Sequence, residues 1–310
     1  MSTTQANADS ADRECPLIDG RREIQKLTAR SSDVGGIPVA RMLPSRHRRT
    51  IGAWCFLDHA GPVRFAPGEQ GLQVGPHPHT SLQTFTWMIT GEALHKDSLG
   101  SEQVIRPGQV NLMTAGKGIT HTEQSLNPEL GLHAAQLWIA LPYAERHCEP
   151  RFDHYPELPR FALGELEATL LMGEYNERQA PTLAYSPLVG MDLQWQQAGS
   201  QILELRPDFE YGVVALEGDL ELDGHALATD ELAYLGINRE SVTLTVKDRG
   251  RALLIGGTPL EKAPVIWWNF VGYSKDEVSE AQRQWELDDG RFGAVHDNAL
   301  ARMNPPAIPW

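Results

Sequence analysis

The sequence predicts an all-β fold: two antiparallel barrels of one design, followed by a single C-terminal helix. Twenty-eight glycines and 21 prolines are spread along the 310 residues, cutting the chain into the short segments that a protein of many strands requires. Between these breaks lie brief β-branched and aromatic runs rather than long stretches of helical period. Two distant stretches also repeat one plan. "WMITGEALHKDSLGSEQVIRPGQVNLMTAG" and "VVALEGDLELDGHALATDELAYLGI" each give an apolar strand, a Gly-acid step, a hairpin, and a further strand entered from a polar turn.

Taken in order, residues 1–20 are small, polar and unpatterned, and read as a disordered tail. A first barrel spans residues 21–145. In it "GAWCFLDHAGPV" reads as a strand and a loop, and Leu82 to Thr90 as a core strand ending at Gly91. A hairpin turns around Leu99 to Ser101, a strand breaks at Gly116 and Gly118, and "LHAAQLWIALP" closes the series. Residues 146–185 carry several prolines and little alternation, and are expected to connect the two domains, with "FALGELEATLLMGEY" readable as strand or helix. Residues 186–310 hold the second barrel and the helix. That helix is announced by Ser274 with Glu277 three residues on, a capping box ahead of helix-forming residues.

A formal charge of −14 argues against nucleic acid or an anionic membrane surface as a direct ligand, because both are held by dense positive charge. The one basic cluster is "PSRHRRT", residues 44–50, expected to be a solvated loop. No apolar run approaches the length of a membrane span, and the start lacks a secretory pattern, so a soluble cytoplasmic protein is expected. Cys15, Cys55 and Cys148 are too few and too scattered for a disulfide framework or a thiolate metal cage.

The chemistry concentrates in two short motifs. "GPHPHTSLQTFTWMITGE" places His77 and His79 two apart at the start of a strand, where alternation sends both to one face. "GITHTEQ" does the same with His121 and Glu123. Eleven histidines placed at random would give about 0.4 His-x-His pairs, so neither motif stands alone. Indeed His147 and Glu149 repeat the spacing in a polar segment and are expected to bind nothing. Both informative pairs instead border predicted core strands, about 40 residues apart. A barrel joining them would present three imidazole nitrogens and a carboxylate, a set suited to iron, nickel, copper or manganese with positions left open; zinc would be satisfied by the four. Surface or hydrogen-bonded structural histidines remain the alternative at this stage.

These stretches carry a family resemblance. Gly71, five residues and then His77-x-His79 is similar to the first metal motif of the cupin superfamily. "RPGQVNLMTAGKGITHTE" resembles the second motif as it appears in the pirin family, and "RRTIGAWCFLDHAGPV" and "PVIWWNFVGYSKDEVSEAQRQWELDDGRFG" resemble flanking and terminal pirin segments. The resemblance implies a bicupin of two antiparallel β-barrels. It implies a divalent metal, Fe(II) first, with Ni, Cu, Mn or Zn as the other candidates, held in the N-terminal barrel by His77, His79, His121 and Glu123. Many pirins carry Glu four residues after the second histidine; this chain has Gln83, expected to be a hydrogen-bonding group beside the ligands. The second barrel is expected to be structural and metal-free, with Phe209 and Tyr211 where ligands would stand and His225 at a hairpin tip.

The resemblance implies two kinds of activity. One is quercetinase-like cleavage of a flavonol, a small aromatic substrate, by O2, with Glu123 accepting the substrate's hydroxyl proton. The other is an iron-bearing redox sensor acting through a regulatory protein partner. A small-molecule or sugar-binding cupin without catalysis is a third reading. Strand parity predicts Phe85 and Trp87 on the same face as the histidines, with Phe56 and His59 bordering the mouth. A monomer is expected.

Overall fold

The computed structural model describes residues 13–19 and 21–310. Antiparallel sheets dominate it, and Lys275–Leu287 is the one α-helix among the described residues. The chain forms two compact units. The first, which carries the histidine motifs, is Ser31–Arg41, Cys55–Glu157 and Leu260–Trp310; the second takes the described residues up to Arg30 with Met42–Trp54 and Leu158–Pro259.

In the first unit a seven-stranded sheet runs in the order Arg151–Tyr155, Val110–Thr114, Leu82–Thr90, Leu132–Ala140, Trp54–Val63, Ile37–Leu43, Arg30–Val34. A four-stranded sheet runs Glu102–Ile105, Ala93–Asp97, Ile119–Ser125, Gln73–His79. Between them lies a cavity of about 650 Å³, lined from both sheets. Strand Gln73–His79 is the edge of its sheet, which is where Pro76 and Pro78 can sit, since proline has no N–H to give a ladder. Alternating Pro with His therefore costs no sheet hydrogen bond on that strand's open side.

The second unit has a larger sheet built around Leu166–Tyr175, Leu188–Trp195, Gly250–Gly257 and Glu210–Glu217, and a four-stranded one. Its interior is packed by one apolar cluster that includes Trp195, Phe209, Tyr211, Leu222, Leu244 and Leu254. Phe209 and Tyr211 are thus core residues, and His225 opens the short strand His225–Leu227.

The helix starts as its sequence predicts. Glu277 N–H donates to Ser274 Oγ at 3.1 Å, a cap that contributes about 1 kcal/mol. Val278, Ala281, Gln282 and Trp285 form its buried stripe, at helical spacing. With Phe270 and Phe292, the apolar members make a satellite core. Among the described residues no helix is long and apolar enough to cross a membrane.

The units do not follow the bounds expected from the sequence. Residues 260–310, helix included, belong with the first barrel rather than the second. Strand Gln25–Thr28, expected in the first barrel, pairs with Glu231–Gly236 of the second. Residues 146–185 are not a bare connection: Arg151–Tyr155 extends the first barrel's sheet, while the hairpin Arg160–Leu163 and Leu166–Tyr175 belongs to the second. The ambiguous segment is therefore strand. The reason is general: a local pattern gives an element's period but not the address of its partner. Of the expected tail, residues 1–12 and 20 lie outside the described residues; Leu17–Ile18 pairs with Arg21–Arg22, and Cys15 is buried.

Candidate metal centre and cavity

His77 and His121 face each other across the ladder of Gln73–His79 and Ile119–Ser125, and His79 follows two residues along. The ring centroids are 4.2 Å apart for His77–His121 and 5.0 Å for each of the other two pairs. One ring nitrogen from each lies within 4.8 Å of the others. All three residues are buried.

The protons on these rings can be assigned from their neighbours. His77 Nδ1 lies 2.9 Å from the carbonyl oxygen of Gly75, and His79 Nδ1 lies 3.0 Å from that of Asn269. Carbonyls only accept, so each Nδ1 carries the hydrogen and each Nε2 keeps its lone pair. His121 is set by a relay. Asp97 Oδ2 accepts from His95 Nε2 at 3.1 Å, leaving His95 Nδ1 to accept from His121 Nδ1 at 3.3 Å. Three Nε2 lone pairs therefore converge. Burial keeps the rings neutral, lowering His77 to about 4 and His79 and His121 well below the usual imidazole range. His79 Nε2 and His121 Nε2 face each other at 3.1 Å, two acceptors with no proton between them, an arrangement that a cation relieves. The donor set thus fits a divalent transition metal.

Glu123 lines the same cavity but stands outside the three-nitrogen group. A shift in the pairing register between His121 and Glu123 sets it opposite Val74 and His95. Burial pushes its carboxyl up to about 7, partly offset by a hydrogen bond with Thr86, whose hydroxyl is also 2.7 Å from Gln136 Oε1. Phe56 and Trp138 form a flat apolar wall, stacked with centroids 4.0 Å apart and planes at 13°. Beside it Arg41 makes a two-pronged pair with Asp58 at 2.7 and 2.6 Å, its guanidinium 4.5 Å above the Phe56 ring.

Several residues expected near the site lie elsewhere. Thr84, Thr86 and Met88 line the cavity; Gln83, Phe85 and Trp87 do not. Parity fails because the chain turns between His79 and Leu82, with Ser81 at φ 57, and the two strands belong to different sheets. Gln83 is buried and donates to Thr114 Oγ1 at 3.1 Å, and Phe85 and Trp87 are core residues. His59 is buried against His133, Nε2 to Nε2 at 2.8 Å, and does not border the mouth. His147 joins no metal-like group among the described residues, and Glu149 pairs with Lys117 at 2.6 Å. In the basic cluster, Arg48 stacks 3.8 Å over the Tyr234 ring.

Sequence reasoning passed over His95 and Asp97. The only local signal was His-x-Asp in "LHKD", which puts both on one face of strand Ala93–Asp97, the neighbour of Ile119–Ser125. Both are buried, and His95 stacks on Phe152 at 4.3 Å.

Two antiparallel barrels in one chain, with converging imidazoles in the first and an apolar core in the second, define a double-barrelled cupin protein. The sequence model described as Pirin matches residues 36–139, and that of the pirin C-terminal cupin domain matches residues 190–293. The chain belongs to the pirin family. It is 55% identical, over 100% of its length and 98% of the relative's, to a Pseudomonas aeruginosa protein named "Putative quercetin 2,3-dioxygenase". A crystal structure titled quercetin 2,3-dioxygenase from Acinetobacter baumannii superposes with TM-score 0.90 at 50% identity, covering 92% of this chain and 96% of that one. An Escherichia coli bacterial pirin solved with nickel(II) shares the fold at TM-score 0.62 and 16% identity, over 77% of this chain and 100% of that one.

Proposed function

We propose that the first barrel houses a metal-dependent dioxygenase acting in the cytoplasm on a flavonol-type aromatic substrate. The convergence of three neutral Nε2 lone pairs at the wall of a roughly 650 Å³ cavity carries this reading. That volume falls within the usual range for small-molecule sites. The names of the Pseudomonas and Acinetobacter relatives supply the substrate class.

His77, His79 and His121 would hold the metal, with Glu123 as the fourth donor. Iron(II) is the expected occupant, and nickel, copper, manganese and zinc suit the same donors. A bound metal would supply open positions and Lewis acidity for a hydroxylated ring and O2. The chain supplies the rest. The Phe56–Trp138 stack offers a flat surface for an aromatic ring. Arg41, held by Asp58, presents positive charge that favours a substrate oxygen made anionic. Glu123, buried in the cavity wall, would accept the proton of the flavonol 3-hydroxyl at a carboxylate oxygen. Ile37, Val39 and Met88 keep that part of the cavity apolar.

The test is oxygen uptake with quercetin by anaerobically purified, metal-loaded protein, run beside His77→Ala and Glu123→Gln. Metal-dependent uptake that falls at least a hundredfold in both variants is expected. Full metal occupancy with no uptake in the parent protein would overturn the dioxygenase reading in favour of a redox-sensing protein with a regulatory partner.

A further inference from the structure

One wall of the cavity comes from outside the sheets of the first unit. Leu300, Ala301 and Met303 line it beside His77 and His79, although residues 294–310 form no strand or helix. These residues also lie beyond residue 293, where the match to the pirin C-terminal domain ends. The segment crosses strand Gln73–His79 at Gly75 and Pro76. Met303 N–H donates to Pro76 O at 2.9 Å, and Trp285 Nε1 donates to Met303 O at 3.0 Å, so both backbone polar groups of Met303 are held. Arg302, pointing out of the lining, stacks 3.4 Å over the Trp285 ring and donates to its carbonyl at 2.6 Å. Asn298 clasps Leu300 through both backbone groups, at 2.9 and 3.2 Å. Beyond the crossing, Gln282 donates to Pro306 O at 3.0 Å and Trp310 to Ser279 Oγ at 3.2 Å.

The barrel is shaped for this crossing. A Cβ at Gly75 would collide with the carbonyl oxygen of Ala301, so glycine there leaves room for the tail two residues before the first histidine. Met303 is 36% exposed, which sets its side chain at the opening rather than deep inside.

We infer that Asn298–Met303 is the specificity-determining wall of the cavity. It adds Leu300 and Met303 to a lining that already holds Phe56, Trp138 and Trp268, and so selects planar aromatic ligands while refusing the same ring bearing a bulky polar substituent. The inference rests on the flavonol reading for its choice of ligand, not for the position of the strap. Because isolated hydrogen bonds hold the strap in place of a strand ladder, removing or trimming it need not disturb the sheets that carry the histidines.

The experiment uses full-length protein, the double variant Leu300→Ala/Met303→Ala, and a chain ending at Gly293. Quercetin and quercetin 7-O-glucoside, which keeps the 3-hydroxyl free, are titrated by quenching of tryptophan fluorescence, since Trp138 and Trp268 line the cavity. In parallel, the rate at which EDTA withdraws nickel(II) from the loaded proteins is followed. The full chain should bind quercetin at least tenfold more tightly than the glucoside. The double variant should lose at least fivefold of that preference at unchanged nickel content, and the shortened chain should release nickel at least tenfold faster. An unchanged preference in the double variant overturns the inference, whether or not the shortened chain folds. If the full chain binds neither flavonol, the flavonol reading fails, and nickel release decides the strap alone: faster release from the double variant sustains it and an equal rate overturns it.

Discussion

His95 shows how much of a candidate metal site can rest on a residue outside its group of converging nitrogens. Its Nδ1 accepts from His121 and its Nε2 donates to Asp97, whose other oxygen accepts from Leu99 N–H at 2.9 Å and Ser101 N–H at 3.0 Å. Burial alone would raise the Asp97 carboxyl, but its bonds with His95 and Ser101 outweigh that and hold it below the usual range, so it stays an acceptor at neutral pH. Without the relay, His121 could put its proton on either nitrogen, and one tautomer would turn an N–H towards the metal. His95→Phe should keep the stack on Phe152 and lose the acceptor, weakening metal binding by about 10- to 100-fold, and should also lower the melting temperature of the metal-free protein because the buried Asp97 Oδ2 loses its partner. Competition titration against a chelator dye measures the first quantity and calorimetry the second; unchanged affinity would refute the relay. His77, His79 and His121 were legible in the sequence because alternation along one strand is a local property. His95 was not, because its partner is 26 residues away and only pairing brings them together.

At the scale of elements, the limit of legibility is the corner. Leu82–Thr90 was readable to the residue as a strand, yet the face it turns to the cavity was misread, since the turn at Ser81 passes the chain from one sheet to the other and resets parity. The helix and its cap were fully readable, being fixed by residues three apart. Strand Glu210–Glu217 adds a device that no period announces. Its first residue, Glu210, is buried, accepts from Gly52 N–H at 2.7 Å and from the Tyr234 hydroxyl at 2.9 Å, and so ties the 51–54 turn to the second barrel's sheet. Burial raises its carboxyl above the ordinary glutamate value, against the pull of these bonds. The sign follows: the folded state holds this proton more tightly than the unfolded state, so stability from Glu210 is fully present below the unfolded pKa of about 4.3 and is lost as pH rises through the folded value. Glu210→Gln keeps an acceptor and cannot ionise. The melting temperature of the variant relative to the parent should therefore climb as pH is raised from about 4.5 towards neutrality, and a flat or falling difference would show that the ionised carboxylate is the better-held form.

On the scale of the whole molecule, two barrels of related plan have been given opposite interiors. The second is filled by an apolar cluster around Leu193, Trp195, Val213 and Leu254, each such side chain contributing roughly 1.5–3 kcal/mol through burial. The first leaves a cavity and lines part of it with imidazoles, forgoing that packing. A second metal in the filled barrel would require unpaired polar donors where Phe209 and Tyr211 now pack, at a cost of several kcal/mol for each donor left unsatisfied. The composition of the two halves does not reveal this difference, because both read as alternating strands; it becomes visible only when Phe209 and Tyr211 are compared with His77 and His79. One metal per chain is the expected stoichiometry. Elemental analysis of protein refolded with excess iron(II) or nickel(II) should give close to one equivalent, falling to near zero in His77→Ala and staying at one in both His147→Ala and His225→Ala. Retention of the metal in His77→Ala, or its loss in His225→Ala, would move the site out of the first barrel. Loss in His147→Ala would instead mean that the 143–149 turn, with Glu149 paired to Lys117, is a ligand loop in solution.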